Sequence, residues 1–93
     1  MSIYPLMLAG WEQTSTWGHD IDHVYAQVTR NGVPDDDGPE FWITPPSYPI
    51  YRLEHELATA ISRVTGAELT FVLRAMAAGV DLVAGRPFAS PPT

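Results

Sequence analysis

A chain of 93 residues, 45% hydrophobic and 17% charged, carries enough apolar side chains for one modest core and too few charges to be a disordered segment. It contains no cysteine, which excludes a disulfide framework, cysteine-based zinc sites and a cysteine nucleophile. The net charge of −6 is concentrated: residues 1–40 hold Glu12, Asp20, Asp22, Asp35, Asp36, Asp37 and Glu40 against Arg30 alone, whereas acids and arginines balance in residues 41–93. Such a field repels phosphate backbones, argues against direct DNA binding and favours basic protein partners. No stretch approaches the roughly 20 apolar residues that span a bilayer, and no positive charge precedes the apolar run Ile3 to Ala9. The expectation is a cytoplasmic protein with no membrane partner.

Taken in order, Ile3 to Ala9 is a short apolar segment in which Pro5 permits only an edge strand or an irregular start. Gly10 to Asp20 is rich in glycine, small hydroxyls and tryptophan, and reads as a loop with Trp11 and Trp17 folded back on the core. His23 to Arg30 is the clearest strand, with Val24, Ala26 and Val28 alternating against Tyr25, Gln27 and Thr29. Asn31 to Pro39 is dense in turn formers, and Glu40 to Thr44 resumes the strand with Phe41 and Ile43 on one face and Trp42 on the other. The two strands form an antiparallel hairpin.

Pro45 to Pro49 reads as a stiff connector that leads into a first helix, with Pro49 in its opening turn. The apolar stripe of this helix is Ile50, Leu53, Leu57, Ala60, Ile61 and Val64. Thr65-Gly66-Ala67-Glu68 matches a capping box, which ends the first helix and starts the second. The second helix, Glu68 to Ala84, is apolar nearly all round. One stripe is Leu69, Val72, Leu73, Met76, Val80 and Val83, and a second ridge is Phe71, Ala75, Ala78 and Leu82. The fold class is therefore α+β: a small antiparallel sheet, made of the hairpin and an N-terminal strand, followed by a two-helix hairpin packed on one face. Residues 1–85 form the domain and 86–93 a Pro-rich tail.

Three short stretches carry a resemblance. Trp17-Gly18-His19-Asp20, Val24-Tyr25-Ala26-Gln27-Val28 with Arg30, and Phe41-Trp42-Ile43-Thr44 beyond the acidic turn resemble small uncharacterised proteins encoded on actinobacterial chromosomes and mobile elements. The shared features are a W-G-x-D start, a Y-A-Q-V strand and a tryptophan strand after an Asp-rich loop. They span roughly the middle third of the chain, and they are aromatic rather than catalytic. The resemblance implies no known activity.

Chemistry-bearing clusters are few. His19, Asp20, Asp22 and His23 are the residue types of a divalent metal site, but in an extended segment the two histidines share one face and the aspartates the other. Asp35-Asp36-Asp37-Gly38 lacks the alternate ligands and distal glutamate of a calcium loop. Pro45-Pro46-Ser47-Tyr48 spells a string that proline-recognition domains bind, and a rigid linker explains it equally. No nucleophile elbow or glycine-rich phosphate loop is present, no cofactor is implied, and the second helix has Arg74 as its single base, too few for a DNA groove.

The leading expectation is a non-enzymatic interaction module, with a protein partner or a second copy held by Phe71, Ala75, Ala78 and Leu82. Two alternatives stay open: an acidic inhibitor or nucleic-acid mimic acting through Asp35, Asp36, Asp37 and Glu40, and a small metal-dependent enzyme.

Overall fold

The computed structural model describes residues 2–34 and 38–84. Four strands, β1 (Ser2–Pro5), β2 (Thr16–His19), β3 (Val24–Val28) and β4 (Phe41–Ile43), form one antiparallel sheet in the order β1-β2-β3-β4. Two helices follow, α1 (Glu54–Thr65) and α2 (Leu69–Ala84). The α+β architecture read from the sequence is thus present, with the β3–β4 hairpin and the N-terminal strand in place. Among the described residues, no helix is long and apolar enough to cross a membrane. The tail from residue 86, like the acidic triplet 35–37, lies outside the described residues.

Strand register aligns Tyr4, Trp17, Ala26 and Ile43 in one row across the sheet. Trp17, Ala26 and Ile43 in this row are buried, and Leu57, Ala58 and Ile61 of α1 and Val72 and Met76 of α2 join them in the core. The helices divide the sheet between them: α1 covers β3 and β4, and α2 covers β1. The Trp17 indole N–H donates to the Met76 carbonyl at 3.2 Å, tying the second strand to the middle of α2. Ser15 and Thr29, both buried, lock the far ends of β2 and β3. The Ser15 hydroxyl donates to the Thr29 carbonyl and accepts the Thr29 N–H, so neither polar group is buried unpaired.

The existence of β2 corrects the loop reading of Gly10 to Asp20. Glycine and hydroxyl content suggested a loop, yet Gly18 is what allows the pairing. A Cβ at this position would lie 2.1 Å from the Ser2 carbonyl oxygen, so only glycine lets β1 approach in this register.

Two helix boundaries also differ from the sequence reading. The first helix starts at Glu54, not near Pro49, and Ile50 and Leu53 stand 53% and 61% exposed. Residue Tyr51 instead extends the sheet through a bridge to Val24, whose N–H donates to the Tyr51 carbonyl. The Glu56 carboxylate then accepts the Arg52 and Leu53 N–H groups and sets the start of α1. At the junction, Thr65 does not form the expected capping box with Glu68. Its hydroxyl donates to the Ile61 carbonyl and accepts the Ala67 N–H, while Gly66 at φ +77° closes α1 in the left-handed conformation. The threonine thus serves the end of one helix rather than the start of the next.

The outer side of β1 is sealed. Leu6 N–H donates to the Ser15 carbonyl, so by alternation Ile3 and Pro5 turn their backbone groups away from β2. Pro5 therefore costs the ladder no donor. Its carbonyl meets α2 at Gly79, where a Cβ would lie 1.8 Å from the oxygen, and Met7 N–H donates to the Ala75 carbonyl at 3.4 Å. A proline and a helix together occupy an edge that would otherwise offer unpaired groups.

Candidate functional site

The second helix forms because Ala, Leu, Met and Arg fill more than half of Leu69 to Ala84, with Gly79 its weakest helix former. Its buried residues are Val72, Ala75, Met76 and Gly79. This places the centre of the core face between the two ridges expected from periodicity. Ala75, read from sequence as part of the outer ridge, and Gly79 one turn further on are the residues pressed against Met7 and Pro5. Ala75 is therefore not part of a free surface. The rest of that ridge is outward: Phe71 and Leu82 are 54% and 46% exposed, and Ala78 between them is half-buried. Leu73 and Val83 of the other stripe are exposed as well, and Val80 is half-buried. Helical spacing puts Phe71, Ala78 and Leu82 on one flank and Leu73, Ala77 and Val80 on the other. A helix that touches the core along one narrow face leaves both flanks available.

The candidate metal residues do not converge. His19 ends β2 on the inner face, its ring packed edge-on against Tyr4 and Trp17 and its Nε2 3.3 Å from Glu54 Oε1. Asp20 to His23 form the turn of the β2–β3 hairpin, closed by Asp20 N–H donating to the His23 carbonyl. Within it the Asp20 carboxylate accepts the Ile21 N–H, and the Asp22 carboxylate meets His23 Nδ1 at 2.8 Å. Among the described residues, no group of three His, Cys, Asp or Glu side chains could hold a metal ion. The segment is a turn rather than the extended run read from sequence: His19 at the strand end faces Glu54, and local pairs absorb Asp20, Asp22 and His23.

These pairs adjust acidity locally. The hydrogen bond from His23 holds the Asp22 carboxyl below the usual carboxylate range. Partial burial, then the nearby Asp20 charge, pushes the Tyr25 phenol above its ordinary value. Tyr25 shares the open face of the sheet with Ile3, Gln27 and Trp42, opposite the helices.

Of the acidic surface proposed from sequence, Glu40 is the described member. Its carboxylate takes the Arg30 guanidinium at 2.8 Å and also accepts the Arg30 backbone N–H. That guanidinium lies 5.6 Å from the centroid of the Trp11 ring. Tyr48, in the proline string, packs against the core rather than standing free for a recognition domain.

Comparisons of the chain with protein-family models, curated proteins and solved structures find no match.

Proposed function

We propose that this chain is a small non-enzymatic protein-interaction module that self-associates through the outer flank of α2. The observation that supports this reading is the half exposure of Phe71 and Leu82, three turns apart on either side of the small Ala78. In an antiparallel, two-fold pair of such helices, Phe71 of one copy stands against Leu82 of the other, and the same contact repeats across the axis. Ala78 near the centre lets the helix axes approach. Phe71 is the larger anchor, since aromatic side chains dominate interface energetics, and Leu82 adds apolar area opposite it.

Size-exclusion chromatography with light scattering tests the proposal. The wild-type chain runs as a dimer at about 100 μM, and Phe71→Asp and Leu82→Asp run as monomers. Because both side chains are already half in water, each substitution changes monomer stability by only about 0.5–1 kcal/mol. A monomeric wild-type chain at that concentration, or a Phe71→Asp variant that unfolds, would overturn it.

A second reading, an acidic decoy for a basic protein site, is favoured by one observation: the whole net charge of −6 resides in residues 1–40. Glu40 contributes little to it, since Arg30 neutralises its carboxylate.

A further inference from the structure

We propose that Asn31 is a deamidation site, gated by the loop at residues 10–13, whose product then holds that loop open. Asn31 is the single asparagine of the chain, and Gly32 follows it. The step is chemically exposed, because a glycine has no side chain to shield the backbone nitrogen that attacks the asparagine carboxamide. Asn31 and Gly32 are the central pair of a turn closed by Val33 N–H donating to the Arg30 carbonyl at 3.1 Å, with Gly32 at φ +83°.

In the folded chain both reacting groups are held. The Gly32 N–H, the nucleophile of the reaction, donates to the Gln13 side-chain oxygen at 3.2 Å. The Asn31 carboxamide, the electrophile, accepts the Gln13 backbone N–H at Oδ1 at 2.9 Å and donates to Glu12 through Nδ2. These partners fix the orientation of the amide, since its oxygen meets a donor and its nitrogen a carboxylate. The Asn31 N–H completes the set by donating to the Gly10 carbonyl at 2.9 Å. All four bonds join the same two segments, and Glu12, Gln13 and Gly32 are exposed, so a local opening releases them together.

Once released, the Gly32 nitrogen loses its proton to solvent and attacks Asn31 Cγ. The Cγ–Nδ2 bond breaks, and the amide leaves as ammonia after taking a proton from water. Water then opens the cyclic imide at either carbonyl, giving aspartate or isoaspartate. A carboxylate now stands where the Nδ2 donor met Glu12, so repulsion replaces a hydrogen bond. Isoaspartate also lengthens the main chain within the turn. The lifted loop carries Trp11, which is buried with its ring centroid 6.2 Å from that of Phe41, so the change reaches the core. No residue of α2 takes part, and the site is independent of self-association.

The test incubates the full chain at neutral pH, folded and in urea. Conversion is read by mass spectrometry, where exchange of the amide for a carboxyl adds about 1 Da. Folded wild-type protein should convert at least about tenfold more slowly than the unfolded chain. Glu12→Ala and Gln13→Ala should each speed the folded chain by about threefold or more, whereas Thr14→Ala in the same loop should not. All three side chains are exposed, so the variants fold. Asn31→Asp, which carries the product charge, should shift tryptophan emission to longer wavelength, and adding Glu12→Gln should reverse the shift. Equal conversion of folded and unfolded chains, unchanged rates in both loop variants, or wild-type emission from Asn31→Asp overturns the proposal.

Discussion

Asp22 and His23 sit side by side on an exposed turn, and their hydrogen bond at 2.8 Å holds the carboxyl below its ordinary pKa without anchoring any core. A folded-state value below the unfolded one adds stability only above the unfolded pKa, and that contribution disappears as pH falls through the folded value. The contribution is therefore fully present at neutral pH, and it is lost on the acid limb as pH falls below about 4. An NMR titration should place the Asp22 midpoint below the ordinary carboxylate range, and His23→Ala should raise it. An unchanged midpoint in that variant would remove His23 as the cause. The sequence reading missed this pairing, because an extended segment puts the aspartates and histidines on opposite faces and only the turn brings Asp22 to His23. The pairing of His19 with Glu54 was not legible either, because 35 residues separate them and only the packing of α1 against the sheet brings them together.

At the scale of an element, Gly79 is by intrinsic propensity the weak spot of α2. Replacing a mid-helix glycine with alanine ordinarily stabilises by about 0.5–1 kcal/mol. Here the added methyl would lie 1.8 Å from the Pro5 carbonyl, a backbone atom that cannot rotate aside. The clash outweighs the propensity gain, and Gly79→Ala should destabilise by about 1–3 kcal/mol, read as a lowered urea midpoint. A stabilised variant would mean that β1 and α2 do not approach as described. Periodicity located α2 to within one residue, Leu69 instead of Glu68, but misplaced the centre of its buried face. The reason is physical. Apolar residues surround the helix, so hydrophobic pattern alone cannot say which side meets the sheet, and the deciding contact is made by the residue with no side chain. The same limit hid β2, whose pairing depends on Gly18, and it extended α1 too far. There the apolar spacing runs on through Leu53 and Ile50, although the Tyr51 bridge to the sheet and the Glu56 cap set the helix start at Glu54.

For the whole molecule, charge separates the two functional readings. Each copy carries −6, so two copies repel at long range, and that repulsion is screened within about 10 Å at 0.1 M salt and about 3 Å at 1 M. An apolar α2 contact should therefore tighten as salt rises from about 50 mM to about 500 mM, measured as a falling dimer dissociation constant by sedimentation. Binding to a basic protein through the acidic half should weaken over the same range. Self-association that weakens with salt would count against the α2 flank. The charge division was fully legible in the sequence. The division of the α2 surface into a core face and two flanks was not, because it follows from where β1 and α1 come to lie.

The sealed side of β1 has a consequence for polymerisation. Strand-by-strand growth of a native sheet into a fibril needs two live ends on every molecule. From Pro5 to Met7 one end is stoppered by α2, which leaves Ile3 as the outward-facing ladder residue of that strand. The other end is β4, three residues long. Two molecules that met β4 to β4 would spend both live ends at once and present a stopper on each side. Strand addition therefore terminates at a pair, and the fold carries its own chain terminator.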